Sequence, residues 1–181
     1  MEVDSCSFTT ARLAVRDWQA APISGRDEPR LADIVAGLLT DAVTRHLPAD
    51  WQGPYTPPRA SRWIAERDAE GPVLLVADRE TGEPLGLLLL FEYEHGEDGV
   101  EVRLGYLLAE RAWGRGLATE LITGFVAWCR TRPTVRSVVG GVEPGNEASI
   151  RVLERCGFER LACDPGEGGE LFYALRLGPG A

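Results

Sequence analysis

The apolar positions of this chain follow two rhythms. Between residues 117 and 129, Leu117, Ala118, Leu121, Ile122, Phe125, Trp128 and Cys129 recur three and four apart, which lays one apolar stripe along a helix, while Glu120, Thr123 and Arg130 fall off it. Leu31, Ile34, Val35, Leu38 and Leu39 repeat that spacing and predict an earlier helix. Residues 59–69 predict another, with Trp63 and Ile64 as core contacts. The second rhythm is alternation: Val102, Leu104, Tyr106 and Leu108 alternate with other residues, and the run Leu104–Ala109 is apolar enough to lie inside a sheet.

Turn chemistry places the remaining elements. Residues 1–7 read as a loose start and Phe8 to Trp18 as a first strand, with Leu13 and Val15 on one face. Pro22 to Pro29 is turn-rich, and Arg45 to Pro58 holds four prolines, so it reads as an irregular loop or broken helix. Its Trp51 and Tyr55 either line a binding entrance or cover the core. Val73–Asp78 and Leu85–Glu94 are apolar runs joined by a turn at 79–84, and a second hairpin turn at His95–Gly99 leads into the strand through Leu104, giving three consecutive antiparallel strands. Pro133 ends the long helix, and Val135 to Val142 form a short buried strand. Asn146 caps a further helix through Cys156 that Gly157 terminates. Two final strands, about 158–163 and 170–177, surround the loop Asp164–Gly169. No repeat or linker divides the chain, so residues 1–181 read as one domain.

Charge narrows the classes of partner. The formal net charge of −9 argues against nucleic acid, whose phosphates call for a basic stripe, and fits a cationic partner such as an amine or basic peptide, although solubility explains such a charge equally well. There is no run of eighteen apolar residues, and the start carries Glu2 and Asp4 in place of a basic, apolar leader; neither a membrane span nor a signal peptide is expected, and the default location is cytoplasmic. Cys6, Cys129, Cys156 and Cys163 lack C-x-x-C spacing and lie far from His46 and His95, so neither a metal site nor a disulfide framework is expected.

Chemistry concentrates where strand meets helix. Arg111-Ala-Trp113-Gly114-Arg115-Gly116-Leu117-Ala118 sets two glycines one residue apart, where the backbone must bend and let another group approach. A helix N-terminus follows, whose unpaired amides and partial positive charge suit phosphate oxygens, with Arg111 and Arg115 available for charge-assisted bonds. A dinucleotide fingerprint is not met, because Thr119 stands where a third glycine or alanine belongs. A Walker loop is excluded, since all 19 basic residues are arginine. A tight structural connection with no ligand remains the other reading.

The pattern Arg111-x-x-Gly114-x-Gly116-x-Ala118 resembles the acetyl-coenzyme A signature of the GNAT N-acetyltransferase superfamily. Thr10-Ala-Arg12-Leu13, Thr81-Gly82-Glu83-Pro84-Leu85-Gly86, Leu104-Gly105-Tyr106-Leu107-Leu108 and Asn146 through Ser149 and Leu153 to Gly157-Phe158 resemble, in the same order, its branch of ribosomal-protein N-terminal acetyltransferases. The resemblance implies an α/β (α+β) acyltransferase fold: a central mixed, mostly antiparallel sheet of about seven strands, helices on both faces, and a V-shaped split between the middle strands. It implies acetyl transfer from acetyl-coenzyme A to a primary amine by direct attack, without a covalent enzyme intermediate; the acceptor is a small molecule or a peptide N-terminus, and a homodimer is the family's guess. The alternative is an acyl-coenzyme A-binding module that senses without turnover.

The resemblance also implies roles. The turn Arg111, Trp113, Gly114, Arg115, Gly116, Leu117, Ala118 and Thr119 would hold the pyrophosphate. The backbone of Tyr106, Leu107 and Leu108 would lie along the pantetheine arm, with an N–H near Leu107 or Leu108 polarising the acyl carbonyl. Glu94 is the expected proton acceptor for the amine, with Glu92 and Glu101 in reserve. Many family members carry a tyrosine where this chain has Leu153, which leaves Ser149 as proton donor to the thiolate, against the reading of an ordinary helix serine. Asn146 would contact the cofactor, cap its helix, or do both. A nucleophilic cysteine is disfavoured, because Cys129 lies on the core stripe and no histidine is near it in sequence.

Overall fold

The computed structural model describes residues 3, 5–20, 31–95, 99–162 and 169–178. The expected turns at Pro22–Pro29 and at the tip of His95–Gly99, most of the loop Asp164–Gly169 and part of the expected loose start lie outside the described residues. The elements run β1 (Phe8–Thr9), β2 (Leu13–Asp17), α1 (Leu31–Leu38), α2 (Asp41–Thr44), α3 (Pro57–Glu70), β3 (Val73–Asp78), β4 (Pro84–Glu94), β5 (Val100–Leu108), α4 (Leu117–Arg130), β6 (Val135–Val142), α5 (Glu147–Arg155), β7 (Glu159–Arg160) and β8 (Leu171–Arg176).

Eight strands form one mixed sheet in the order β1-β2-β3-β4-β5-β6-β8-β7. That is one strand more than expected, because the first expected strand is two. The Thr10 N–H donates to the Leu13 carbonyl at 2.9 Å, and the Leu13 N–H donates to Thr10 Oγ1 at 3.0 Å. These bonds close a turn that folds Phe8 back opposite Val15. Every pairing is antiparallel except β5 with β6, which α4 connects as a parallel crossover.

The central strands are apolar on both faces because both faces are covered. In β4, Leu88 and Leu90 belong to a core shared with α4, β6 and α5, while Leu87 and Leu89 belong to a second core under α1 and α3. Phe125 of α4 is fully buried and packs near Phe8 and Trp128, with ring centroids 6.3 and 6.1 Å away. Gly124 lets α4 come this close to β1: a Cβ there would lie 2.7 Å from Thr10 Cγ2 and 2.9 Å from the Phe8 ring. On the other face Trp63 is packed edge-on by Trp18 and Trp51 at 6.0 and 5.3 Å. The buried Arg67 guanidinium sits 4.4 Å from the Trp51 ring, so that indole covers the core. Among the described residues no helix is long and apolar enough to cross a membrane.

Candidate active site

The parallel pair does not stay together. β5 and β6 pair from Val100 opposite Val135 to Leu104 opposite Gly140, with a register shift between Val100 and Glu101. Beyond that point β5 continues to Leu108 paired only with β4, and Gly141 and Val142 of β6 pair only with β8. The Ala109 N–H donates to the Leu85 carbonyl. Successive strand N–H groups face opposite edges, so those of Tyr106 and Leu108 lie on the open side of β5. A cavity of about 420 Å³ occupies the opening. Tyr106, Leu107 and Leu108 form one wall, Asn146, Ser149, Arg151, Val152 and Arg155 another, and Ala42, Val43, Arg45, His46 and Leu47 line it as well.

The glycine turn closes one end. Gly114 and Gly116 have φ of +68° and +76°, the left-handed region that disfavours any side chain. Gly116 is the N-cap of α4, and no side chain bonds to the amides behind it, so the helix presents free N–H groups and its positive dipole end. Trp113, Gly114, Gly116, Leu117, Ala118 and Thr119 all line the cavity. Trp113 is fixed by donating its indole N–H to the Leu108 carbonyl at 2.7 Å.

A second residue set holds the turn in place. Glu120, in the first turn of α4, accepts from Thr10 Oγ1 at 2.6 Å, the Arg12 backbone N–H at 2.7 Å and Arg12 Nε at 2.7 Å. Arg12 Nη1 then donates to the Arg115 carbonyl between the two glycines at 3.0 Å. Partial burial would push the Glu120 carboxyl up, but the Thr10 and Arg12 hydrogen bonds and the Arg12 charge outweigh it and hold the group below its usual range.

Two expected basic contributors lie elsewhere. Arg111 pairs with Glu83 at 2.6 Å and donates to the Pro84 carbonyl, which ties the turn to the β3–β4 hairpin. Arg115 does not line the cavity; its charge acts on Asp78. The arginines that do line it are Arg45, Arg151 and Arg155, none of which the sequence pattern singled out. Arg45 also lies over the Trp113 ring at 5.8 Å.

On the α5 wall, Asn146 caps the helix by accepting the Ser149 N–H at 3.2 Å, and it lines the cavity as well. The Tyr106 hydroxyl crosses from β5 to donate to Ser149 Oγ at 3.1 Å. Burial pushes the Tyr106 phenol up to about 12, only partly offset by the Ser149 bond, so it stays protonated and keeps donating. Leu153 is buried in the core and faces Gly140.

The expected proton acceptor is not brought to this cavity. Glu94 is exposed at the far end of β4, opposite Val100. Leu88, opposite Tyr106, is six residues away along that strand, roughly 20 Å. Glu92 accepts the Val3 N–H, and Glu101 pairs with Arg103. No carboxylate is among the described residues that line the cavity. His46 is among them, with Nδ1 against the Glu143 carboxylate. Neither residue had a local sequence signal, since they stand 97 positions apart. Tyr55, set on Trp51 through its hydroxyl, lies outside the cavity. Burial raises the thiols of Cys6, Cys129 and Cys156, which opposes a thiolate nucleophile at those positions. Among the described residues no His, Cys, Asp and Glu group is placed to hold a metal ion.

Comparison with known proteins places this architecture. The uncharacterized protein YkkB of Bacillus subtilis (strain 168) is 32% identical over 97 residues, which is 54% of this chain and 49% of that protein; the chain thus spans about half the length of the curated relative it matches. An acetyltransferase (GNAT family) from Bacillus anthracis superposes with a TM-score of 0.72 at 15% identity, covering 94% of this chain and 98% of its own. RimL, a ribosomal L7/L12 alpha-N-protein acetyltransferase solved in complex with coenzyme A, superposes with a TM-score of 0.71 at 17% identity, covering 95% and 98%. A family model described as an acetyltransferase (GNAT) domain matches residues 21–159, and with the split sheet and the glycine turn this makes the chain a member of the GNAT acetyltransferase family.

Proposed function

We propose that this chain moves an acetyl group from acetyl-coenzyme A to a primary amine by direct attack. The observation that carries the reading is one cavity in which the open edge of β5, an uncapped helix N-terminus and the Tyr106–Ser149 pair all meet. The residues fit coenzyme A. Free amides at Leu117, Ala118 and Thr119 suit its pyrophosphate, Arg151 and Arg155 add positive charge, and the N–H groups of Tyr106 and Leu108 offer an extended amide chain the pairing that β6 has given up.

Acetyl-coenzyme A supplies the activated thioester and its leaving thiolate. The Leu108 N–H donates to the developing charge on the acyl oxygen, an oxyanion-type role. Ser149 hands its proton to the departing sulfur: its oxygen already accepts from Tyr106 and its amide is taken by Asn146, so its own O–H is free to point into the cavity. The acceptor is an amine, either a small molecule or a peptide N-terminus, drawn by a chain of formal charge −9.

The test is incubation with acetyl-coenzyme A and a panel of amines and basic peptides, reading thiol release, beside thermal denaturation with coenzyme A. Release with at least one amine, together with a higher melting temperature, is expected. Stabilisation without release on the whole panel supports a sensing module instead, which the leucine at 153 would favour. No stabilisation by coenzyme A refutes the site.

A further inference from the structure

We propose that His46 is the catalytic base that takes the proton of the acceptor amine, with Glu143 as its positioning residue; this rests on the acetyl-transfer reading above. A primary amine is largely protonated near neutral pH and cannot attack until that proton is removed. Of the described residues lining the cavity, the ones that ionise are Arg45, Arg151, Arg155, Tyr106 and His46. The arginines stay charged, and the Tyr106 phenol is held protonated and engaged with Ser149. Imidazole is the side chain in that set with a nitrogen lone pair that can accept a proton.

The geometry supplies the tautomer. Glu143 directly follows β6, beyond the point where β6 has parted from β5, and its carboxylate meets Nδ1 of His46. An ionised carboxylate only accepts, so Nδ1 carries the hydrogen and Nε2 keeps a free lone pair. The same carboxylate offsets the positive charge the ring acquires on taking a proton, the part an acid plays behind a histidine base elsewhere. The ring contacts Glu143, which directly follows β6, and the ionisable groups that share the cavity with it are Arg45 from its own segment, Arg151 and Arg155 from α5, and Tyr106 from β5. The His46 side chain is one-quarter exposed, open enough to meet an acceptor from solvent and to return its proton there.

The step balances. Nε2 of His46 takes a proton from the ammonium nitrogen, whose freed lone pair forms the new bond to the acyl carbon, and the second proton that this nitrogen sheds on becoming an amide passes to water. The C–S bond breaks with its electron pair on sulfur, and Ser149 gives that sulfur a proton. The imidazolium then releases its proton to water, and Ser149 regains one through water or Tyr106.

The experiment uses the whole chain. His46→Asn keeps an N–H donor for Glu143 but has no basic nitrogen; His46→Gln serves as a second variant, and Glu143→Gln tests the positioning role. Thiol release with the best amine of the panel is followed from pH 5.5 to 9.5, with coenzyme A affinity measured on each variant. Expected are a kcat/KM loss of about 100-fold or more in both His46 variants, coenzyme A affinity within about twofold, loss of the wild-type acid limb, and in Glu143→Gln an intermediate loss with a displaced acid limb. A wild type that turns over while both His46 variants keep more than a third of its kcat/KM and the same acid limb overturns the assignment alone. A wild type that binds coenzyme A and acetylates nothing overturns the transfer reading and this assignment with it.

Discussion

Glu120→Gln tests whether the glycine turn is held from outside. The substitution keeps the side chain's shape and removes its charge. Arg12 then faces a neutral amide where two of its nitrogens approached a carboxylate oxygen at 2.7 and 2.6 Å. Hydrogen bonds to charged groups contribute about 1.5–3 kcal/mol each. Arg12 is 47% exposed and Glu120 17%, so solvent screening reduces the loss for the pair to about 1–2 kcal/mol. For a chain of this length each kcal/mol moves the melting temperature by about 2–4 °C, giving an expected fall of about 2–8 °C at pH 7. The pH dependence supplies the sharper check. Because the folded carboxyl lies below its ordinary value of 4.5, its stabilisation is fully present above that value and is lost as pH falls through the folded one. Urea denaturation of both proteins at pH 7 and again near pH 3 should show the difference shrinking at the lower pH. Coenzyme A affinity should also fall in the variant, since the Arg115 carbonyl loses an anchored Arg12. An equal deficit at both pH values, or none at pH 7, refutes the account of Glu120 as an ionic clamp.

Gly116→Ala should cost about 1–2 kcal/mol of stability from the left-handed backbone alone, since the new Cβ would meet only Arg12 Nη2 at 3.8 Å; Gly116→Glu should fold and lose coenzyme A binding by calorimetry, and retained affinity would sink the turn assignment. Tyr106→Phe concerns a phenol that burial raises from 10.0 to about 12, whose contribution is whole below pH 10 and is lost as pH rises toward 12; denaturant titrations should therefore show a shallower alkaline loss of stability in the variant, and an unchanged slope would refute the burial of the Tyr106 phenol.

The elements that burial alone defines were legible in the sequence. α4 and β6 have the bounds the apolar pattern predicts, Leu117–Arg130 and Val135–Val142, because a helix or strand packed into a core must carry that pattern whatever surrounds it. The first strand was misread for a local reason: Thr10 spends its hydroxyl on the Leu13 amide, and a side-chain-closed turn leaves no mark on apolar spacing. Site residues divide the same way. Gly114 and Gly116 announce themselves, since few residues tolerate their backbone. Glu94 was misplaced because reach depends on register: pairing opposite Val100 carries it to the far end of β4. Arg12 with Glu120, 108 positions apart, and His46 with Glu143 are side-chain meetings that only the closed sheet creates.

The leucine at 153 and the tyrosine at 106 answer one another. Leu153 fills the space beside Gly140, where β6 is about to lose its parallel partner, and an apolar side chain suits that buried corner. The hydroxyl the family commonly supplies from that helix position is then absent, yet a phenol still reaches the same wall from across the cavity. Tyr106 is partly buried and its O–H takes a partner in Ser149, one helical turn before Leu153. On the proposed reading β5 therefore does two jobs with one residue: the Tyr106 amide lies on the open edge that receives the extended donor, and its side chain directs the serine that protonates the leaving sulfur. Displacing that strand would disturb donor placement and proton supply together, and it is held from both edges, by pairing with β4 on one and by the Trp113 indole bond to the Leu108 carbonyl on the other.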